Sequence, residues 1–181
     1  MLISEKIWGD IMEKKFIEIK PNEISDNTFK AIGSDWMLVT AGDINSYNTM
    51  TASWGGLGVL WNKNIAFCVV RPSRHTRKFI DNSDIFTLSF FDESYRKALS
   101  FCGSHSGRDY DKAAETGLTA VESKEGSIFF NESRLVLECR KLYYQDIDPV
   151  GFLDPSIIIK NYAEKDYHRM YIGEILNCFQ K

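Results

Sequence analysis

The strand-forming runs of this chain, and the shortness of what separates them, leave few folds open. Trp36–Ala41, Tyr47–Trp54, Ile65–Val70, Ile85–Phe91, Arg134–Tyr144 and Tyr167–Phe179 are apolar, or alternate, or are rich in β-branched and aromatic residues, and Glu13–Ile19 alternates as an edge strand does. Gly42-Asp43 turns the second run into a hairpin with the first, and Gly55-Gly56-Leu57-Gly58 reads as a further turn. The helices are short: a turn over Asn27–Ile32 ending at Gly33, Glu93 to about Cys102 behind Asp92, and Tyr110–Thr116 between Asp109 and Gly117. They do not alternate strictly with the strands, so a parallel βαβ sheet is disfavoured and a mainly β chain, a β-barrel with inserted short helices, is expected. Residues 1–11 read as an N-terminal extension and 12–181 as a single domain.

Pro72 cannot continue the strand Ile65–Val70, and Ser73 is a good N-cap for a helix that follows. Arg71, Arg74, His75, Arg77 and Lys78 then crowd the start of that helix, in a chain whose net charge is −3. The dipole of a helix disfavours cations at its N-terminus, and a bound phosphate would reconcile them. The other reading is a solvated basic helix paired with some of the 25 carboxylates. Lys112 raises the same question, lying in the first turn of its own short helix.

Several chemistries find little support. An acidic chain without a continuous basic stripe argues against nucleic acid as a partner. No apolar run reaches membrane-spanning length and the N-terminus lacks a signal-peptide core, which reads as a cytoplasmic protein with no membrane partner. Cys68, Cys102, Cys139 and Cys178 contain no C-x-x-C pair. Three sit in apolar or alternating runs as core residues do; Cys102 lies in a polar stretch near His105, where a reactive thiol is conceivable. His75, His105 and His168 show no i, i+4 pairing for a metal, and Asp146, Asp148 and Asp154 read as loop residues before they read as acid–base groups. The glycines at 55–58 do not have the G-x-G-x-x-G spacing of a dinucleotide fingerprint.

Four motifs, in order, resemble the flavin reductase-like family, especially its flavoredoxin-type members. They are Asn-Thr-Met-Thr-Ala-Ser-Trp-Gly-Gly from Asn48, Arg-Pro-Ser-Arg-His-Thr from Arg71, Ser-Gly-Arg-Asp-Tyr-Asp-Lys from Ser106 and Tyr-Ile-Gly-Glu-Ile from Tyr171. The resemblance spans about Phe16–Phe179. It implies an FMN-binding split β-barrel, Greek-key-like, assembled as a homodimer with the flavin near the subunit interface. By the same resemblance Asn48, Thr51, Ala52, Ser53 and Trp54 run along the flavin ring and ribityl chain. Arg71, Arg74, Thr76 and Lys112 match phosphate contacts, Ser89, Phe90 and Phe91 approach the ring, and His168 lies near it. The activity implied is an FMN-dependent oxidoreductase taking hydride from NADH or NADPH and passing electrons to flavin or another small acceptor, with the cofactor and not a side chain carrying the chemistry. A flavoredoxin-type electron carrier reduced by a protein partner is the alternative.

Overall fold

The computed structural model describes residues 16–181; the expected extension over residues 1–11 lies outside them. In chain order the strands are β1 (Ile17–Glu18), β2 (Met37–Asp43), β3 (Ser46–Ala52), β4 (Gly55–Leu60), β5 (Lys63–Val70), β6 (Ile85–Phe90), β7 (Ala120–Glu122), β8 (Ile128–Phe130), β9 (Leu135–Asp146) and β10 (Arg169–Gln180). The helices are α1 (Thr28–Lys30), prolonged by a π turn over Ala31–Asp35, α2 (Thr76–Asn82), α3 (Arg96–Ser104), α4 (Lys112–Thr116) and α5 (Pro155–Asn161).

The main sheet runs β3-β2-β6-β9-β10-β5-β4, with β1 added to β10, and β7 and β8 form a separate ribbon. Every pairing is antiparallel, so hairpins and loops suffice as connections. The twelve-residue strands β9 and β10 pair through two register shifts, at Ile172/Gly173 and Ile175/Asn177. Such bulges bend a sheet and raise its twist. Inside lie Met37, Val39, Phe86, Leu88, Leu137 and Tyr171.

The helices cover two different surfaces. Ile80 of α2 enters the barrel core, and Lys141 on β9 closes that helix by donating from Nζ to the carbonyls of Ile80 (2.7 Å) and Asp81 (3.0 Å). Ala98, Leu99 and Cys102 of α3 and Ala113 of α4 pack with Leu38, Phe91 and Phe130 in a second cluster. Cys102 is therefore a core residue, fully buried, its thiol pushed up to about 11 by burial; His105 and the polar residues after it lie beyond the helix.

The Gly55–Gly58 stretch is not a turn. It is the first part of β4, where Gly56 stands opposite Phe67 and a Cβ would meet that ring at 2.4 Å. The turn falls later, at Trp61-Asn62, both with positive φ (53° and 56°) as a type I′ hairpin requires. Glycine reads as a turn former in sequence, but here the crowded cross-strand ring decides. Among the described residues no helix is long and apolar enough to cross a membrane.

Candidate functional site

β5 ends at Val70 and the chain turns at once, with the Arg74 N–H donating to the Arg71 carbonyl (3.1 Å). α2 starts only at Thr76, with His75 and not Ser73 at its N-cap position. Arg71, Arg74 and His75 thus occupy the turn before the helix, not its first turn.

Across from this turn stands the C-terminal end of α3. Its carbonyls take up the cations: Arg74 Nη1 donates to the Gly103 carbonyl (2.6 Å) and Lys112 Nζ to the Cys102 carbonyl (2.8 Å), while Lys112 Nζ also donates to the Thr49 carbonyl on β3 (2.8 Å). Neither Arg74 nor Lys112 has an ion-pair partner among the described residues. Lys112 is 6% exposed, and burial pushes its ammonium down to about 8, helped by Arg74 and opposed by Cys102. Two of its three donors are committed, which leaves one. The loop from Ser106 brings Lys112 here through close backbone approach: a Cβ on Gly107 would lie 1.8 Å from Asn48 Oδ1. Asn48 in turn donates to Thr76 Oγ1 (2.7 Å), tying β3 to the start of α2.

These groups surround a cleft of about 200 Å³ that includes Arg71, Arg74, His75, Thr76, Arg108 and Lys112 and no carboxylate. Burial, then Arg108, Lys78 and Lys112, hold the His75 imidazole below its ordinary range, so it meets the cleft as a neutral ring. A second cleft of about 220 Å³ shares Met50, Arg71 and Arg74 with the first and adds Thr51, Ala52, Ser53, Trp54, Val69 and His168. Joined, the two enter the range of small-molecule sites, about 300–1,000 Å³.

His168 arrives from the segment between β9 and β10. Its Nδ1 lies 2.9 Å from the Tyr162 hydroxyl and its ring 5.0 Å from that of Trp54. Burial, followed by Arg71, pushes its pKa down to about 4, so it is neutral in ordinary buffers. Arg71 fastens the same segment: Nη1 donates to Asp166 (2.5 Å) and Nη2 to the Asn161 carbonyl (2.8 Å), with the guanidinium 5.3 Å from the Tyr162 ring centre.

Of the residues singled out in sequence, Asn48, Thr51, Ala52, Ser53, Trp54, Arg71, Arg74, Thr76, Lys112 and His168 are brought together around the two clefts or directly behind them. Ser89, Phe90 and Phe91 are not. β6 lies in mid-sheet between β2 and β9, Phe90 faces the barrel core, Phe91 packs in the α3 cluster, and Ser89 is fully buried with its hydroxyl unpartnered. Thr51 lines the ring-side cleft, but its hydroxyl already donates to the Leu99 carbonyl (2.5 Å). Sequence reasoning missed Met50, which has the same parity as Asn48 and Ala52, and the segment carrying Tyr162. Asp154 before Pro155, an N-cap followed by an N1 proline, signals the helix in that segment, and Asp154 does accept from the Ser156 N–H (2.9 Å). The three histidines do not converge: among the described residues no group of His, Cys, Asp or Glu could hold a metal.

Residues 29–181 match the family described as flavin reductase like domain. No curated protein matches the chain in sequence. Among solved structures, the fold resembles the FMN-binding domain of a flavin reductases-like enzyme from Shewanella baltica, with TM-score 0.66 and 16% identity over 92% of this chain and 77% of that one. It also resembles flavoredoxin of Desulfovibrio vulgaris, with TM-score 0.64 and 21% identity over 90% and 77% of the two chains. A third likeness is to the NADH:FAD oxidoreductase of Streptomyces globisporus in complex with NAD and FAD fragments, with TM-score 0.60 and 17% identity over 81% and 74%. The architecture is the split barrel common to such proteins.

Proposed function

The chain belongs to the flavin reductase-like domain family, and on that premise we propose that it binds FMN across the two joined clefts and works as an NAD(P)H-dependent flavin oxidoreductase. One observation carries the reading: a cleft lined by Arg71, Arg74, Arg108 and Lys112 and by no carboxylate shares Met50, Arg71 and Arg74 with a cleft bounded by Thr51–Trp54 and His168.

The donor set fits the group. A phosphate monoester needs several N–H and O–H donors and a net positive surrounding, and Lys112, Arg74 and the neutral His75 supply them without a competing acid. Arg71 serves differently, since its bonds go to Asp166 and Asn161; it contributes charge and fixes the segment that carries His168. The ring-side cleft offers the Ser53 hydroxyl and a neutral His168 beside the face of Trp54, groups that hydrogen-bond and stack without adding charge. When bound, FMN supplies the centre that accepts hydride or electrons. The chain's own residues bind and orient it, and none is required as a general acid or base.

A homodimer belongs to the same proposal. Leu60 and Tyr143 are exposed, and Phe67, Val69 and Met170 are half-buried, on the adjoining strands β4, β5, β9 and β10, and Trp61 is exposed in the turn between β4 and β5. Exposed aromatic and apolar side chains grouped on adjoining strands are characteristic of interfaces, and Trp54, which lines the ring-side cleft, immediately precedes β4. Light scattering of the flavin-loaded protein at micromolar concentration is expected to give twice the chain mass; a monomer overturns this part.

Titration calorimetry with FMN and with riboflavin tests the binding, with FMN expected at least about tenfold tighter. Equal affinities overturn the phosphate assignment. Stopped-flow mixing of the FMN-loaded protein with NADH or NADPH then tests the reaction. Rapid loss of the flavin's visible absorption is expected, and a flavin that stays oxidised leaves the electron carrier in its place.

A further inference from the structure

Tyr162 is the first residue after α5, and it is buried, 3% exposed. The chain holds it from both sides: its N–H donates to the Ile158 carbonyl (2.8 Å), and its carbonyl accepts from the Lys165 N–H (3.0 Å). Phe152 and Tyr167 pack against its ring, with centroids 5.8 and 4.9 Å away, and Arg71 clamps the flanking Asn161 and Asp166. A side chain fixed this firmly makes one polar contact, the 2.9 Å bond between its hydroxyl and His168 Nδ1.

A neutral imidazole has one N–H and one bare nitrogen, and the partner of one nitrogen decides the role of the other. If Nδ1–H donated to the phenol oxygen, the phenol's own hydrogen would lack an acceptor, because no other group among the described residues bonds to that hydroxyl. If the phenol donates to a bare Nδ1, every hydrogen is used. Arg71, its guanidinium 5.3 Å from the Tyr162 ring centre, favours the second arrangement, since a nearby cation makes a hydroxyl the better donor. The imidazole proton then sits on Nε2. That nitrogen has no partner among the described residues, where the sealed side-chain atoms without one are the hydroxyls of Ser89, Ser127 and Ser133. Nε2 is therefore open, and His168 stands in the wall of the ring-side cleft.

We propose that Tyr162 is a positioning residue that holds His168 in its Nε2–H form, so that the ring-side cleft presents a fixed hydrogen-bond donor to a carbonyl oxygen or imine nitrogen of the molecule bound there. That this molecule is a flavin rests on the reading of the joined clefts as an FMN site; the tautomer does not. A donor at the ring's acceptor edge holds the electron-rich reduced ring more tightly than the oxidised one.

Long-range proton–nitrogen NMR of the labelled, flavin-free protein near neutral pH reads the tautomer directly, the His168 signals being assigned by their loss in His168→Phe. A protonated Nε2 and a bare Nδ1 are expected, with the Nδ1–H form gaining in Tyr162→Phe. An Nδ1–H tautomer in the wild type, or a spectrum that Tyr162→Phe leaves unchanged, overturns the proposal. The FMN-loaded proteins give the second readout. Tyr162→Phe removes one oxygen and keeps the ring packing, and should lower the midpoint potential of bound FMN, by about 30 mV for an about tenfold loss in relative binding of the reduced flavin. In a His168→Phe background the same substitution should have no further effect. An equal shift in that background overturns the positioning role, and a potential that Tyr162→Phe leaves in place overturns the contact with the ring. If FMN does not bind the wild-type protein, the flavin reading falls, and the NMR arm still decides the tautomer.

Discussion

Lys112 turns the phosphate assignment into a dependence on pH. In the folded protein its ammonium is held down to about 8 by burial, in place of its ordinary 10.5. A bound phosphate dianion would lift it again, since an opposite charge within a few ångströms favours the protonated form. Below pH 8 the cation is present before the ligand arrives, and affinity is flat. Above pH 8 the free protein loses the proton and binding must restore it. The dissociation constant for FMN should therefore rise with pH, approaching tenfold per unit until the pKa of the complex is passed. Between pH 8 and 9.5 the loss amounts to roughly tenfold or somewhat more. Riboflavin, lacking the phosphate, should show no such slope. Lys112→Met should abolish the slope for FMN and weaken FMN binding at pH 7 by about 10–100-fold, the equivalent of one charge-assisted bond of about 1.5–3 kcal/mol. It also leaves the Thr49 and Cys102 carbonyls short of a donor, so thermal unfolding must confirm that the variant is folded. Calorimetric titration across this pH range decides the matter. Parallel slopes for FMN and riboflavin, or a slope that survives in Lys112→Met, would refute the reasoning.

Other outcomes follow from the same geometry. Ser53→Ala should shift the midpoint potential of bound FMN by about 10–30 mV through loss of one hydrogen bond of about 0.5–1.5 kcal/mol. Thr51→Ala should instead cost about 1 kcal/mol of stability with little change in potential, because that hydroxyl serves the Leu99 carbonyl; spectroelectrochemistry and denaturant melts separate the two, and equal shifts of potential in both would contradict the assignment. His168 has a folded pKa near 4 against an ordinary 6.5, so the unfolded chain takes up a proton first as pH falls. Stability should accordingly decline from pH 6.5 toward 4, by up to about 3 kcal/mol; His168→Phe should flatten that part of the urea-melt profile, and an unchanged decline would discharge His168. Gly107→Ala sets a methyl against Asn48, a collision of the kind that costs about 1–3 kcal/mol, and should weaken FMN binding by about tenfold or more in a titration of the folded variant; wild-type affinity would show that the loop is free to move.

β2, β3, β5, β6, β9 and β10 were legible because their patterns persist over six residues or more and Pro72 marks a clear stop, whereas β4 was read as a turn and the three-residue strands β7 and β8 are too short to show a pattern. The cationic turn was legible as a contradiction: too many positive charges before a helix in an acidic chain. What sequence could not show was how that contradiction is resolved in the folded state. Nothing local to Lys112 reveals that its ammonium reaches Thr49 and Cys102, residues 63 and 10 positions away. Gly55 and Gly56 were misread because Phe67, eleven residues on from Gly56, removes the room for a side chain, by its backbone oxygen at Gly55 and by its ring at Gly56. Ser89, Phe90 and Phe91 came from the resemblance, and the central place of β6 buries them in the two cores. The segment between β9 and β10 was read as a loop with scattered acids, although its helix carries an N-cap and a proline in the expected places.

The carbonyls at the end of α3 give the cationic cleft a property that ion pairs would not. A site whose arginines and lysine were matched by carboxylates would be electrically silent until an incoming anion broke those pairs, and each exchange would slow capture. Here Arg71 is matched by the Asp166 carboxylate, but Arg74 and Lys112 are held by the neutral carbonyl oxygens of Gly103, Cys102 and Thr49, which fix them in position without cancelling their charge. The cleft therefore keeps a positive field toward solvent. Anion capture should be fast at low ionic strength and slow steeply as salt is added, with little rearrangement of the protein on arrival.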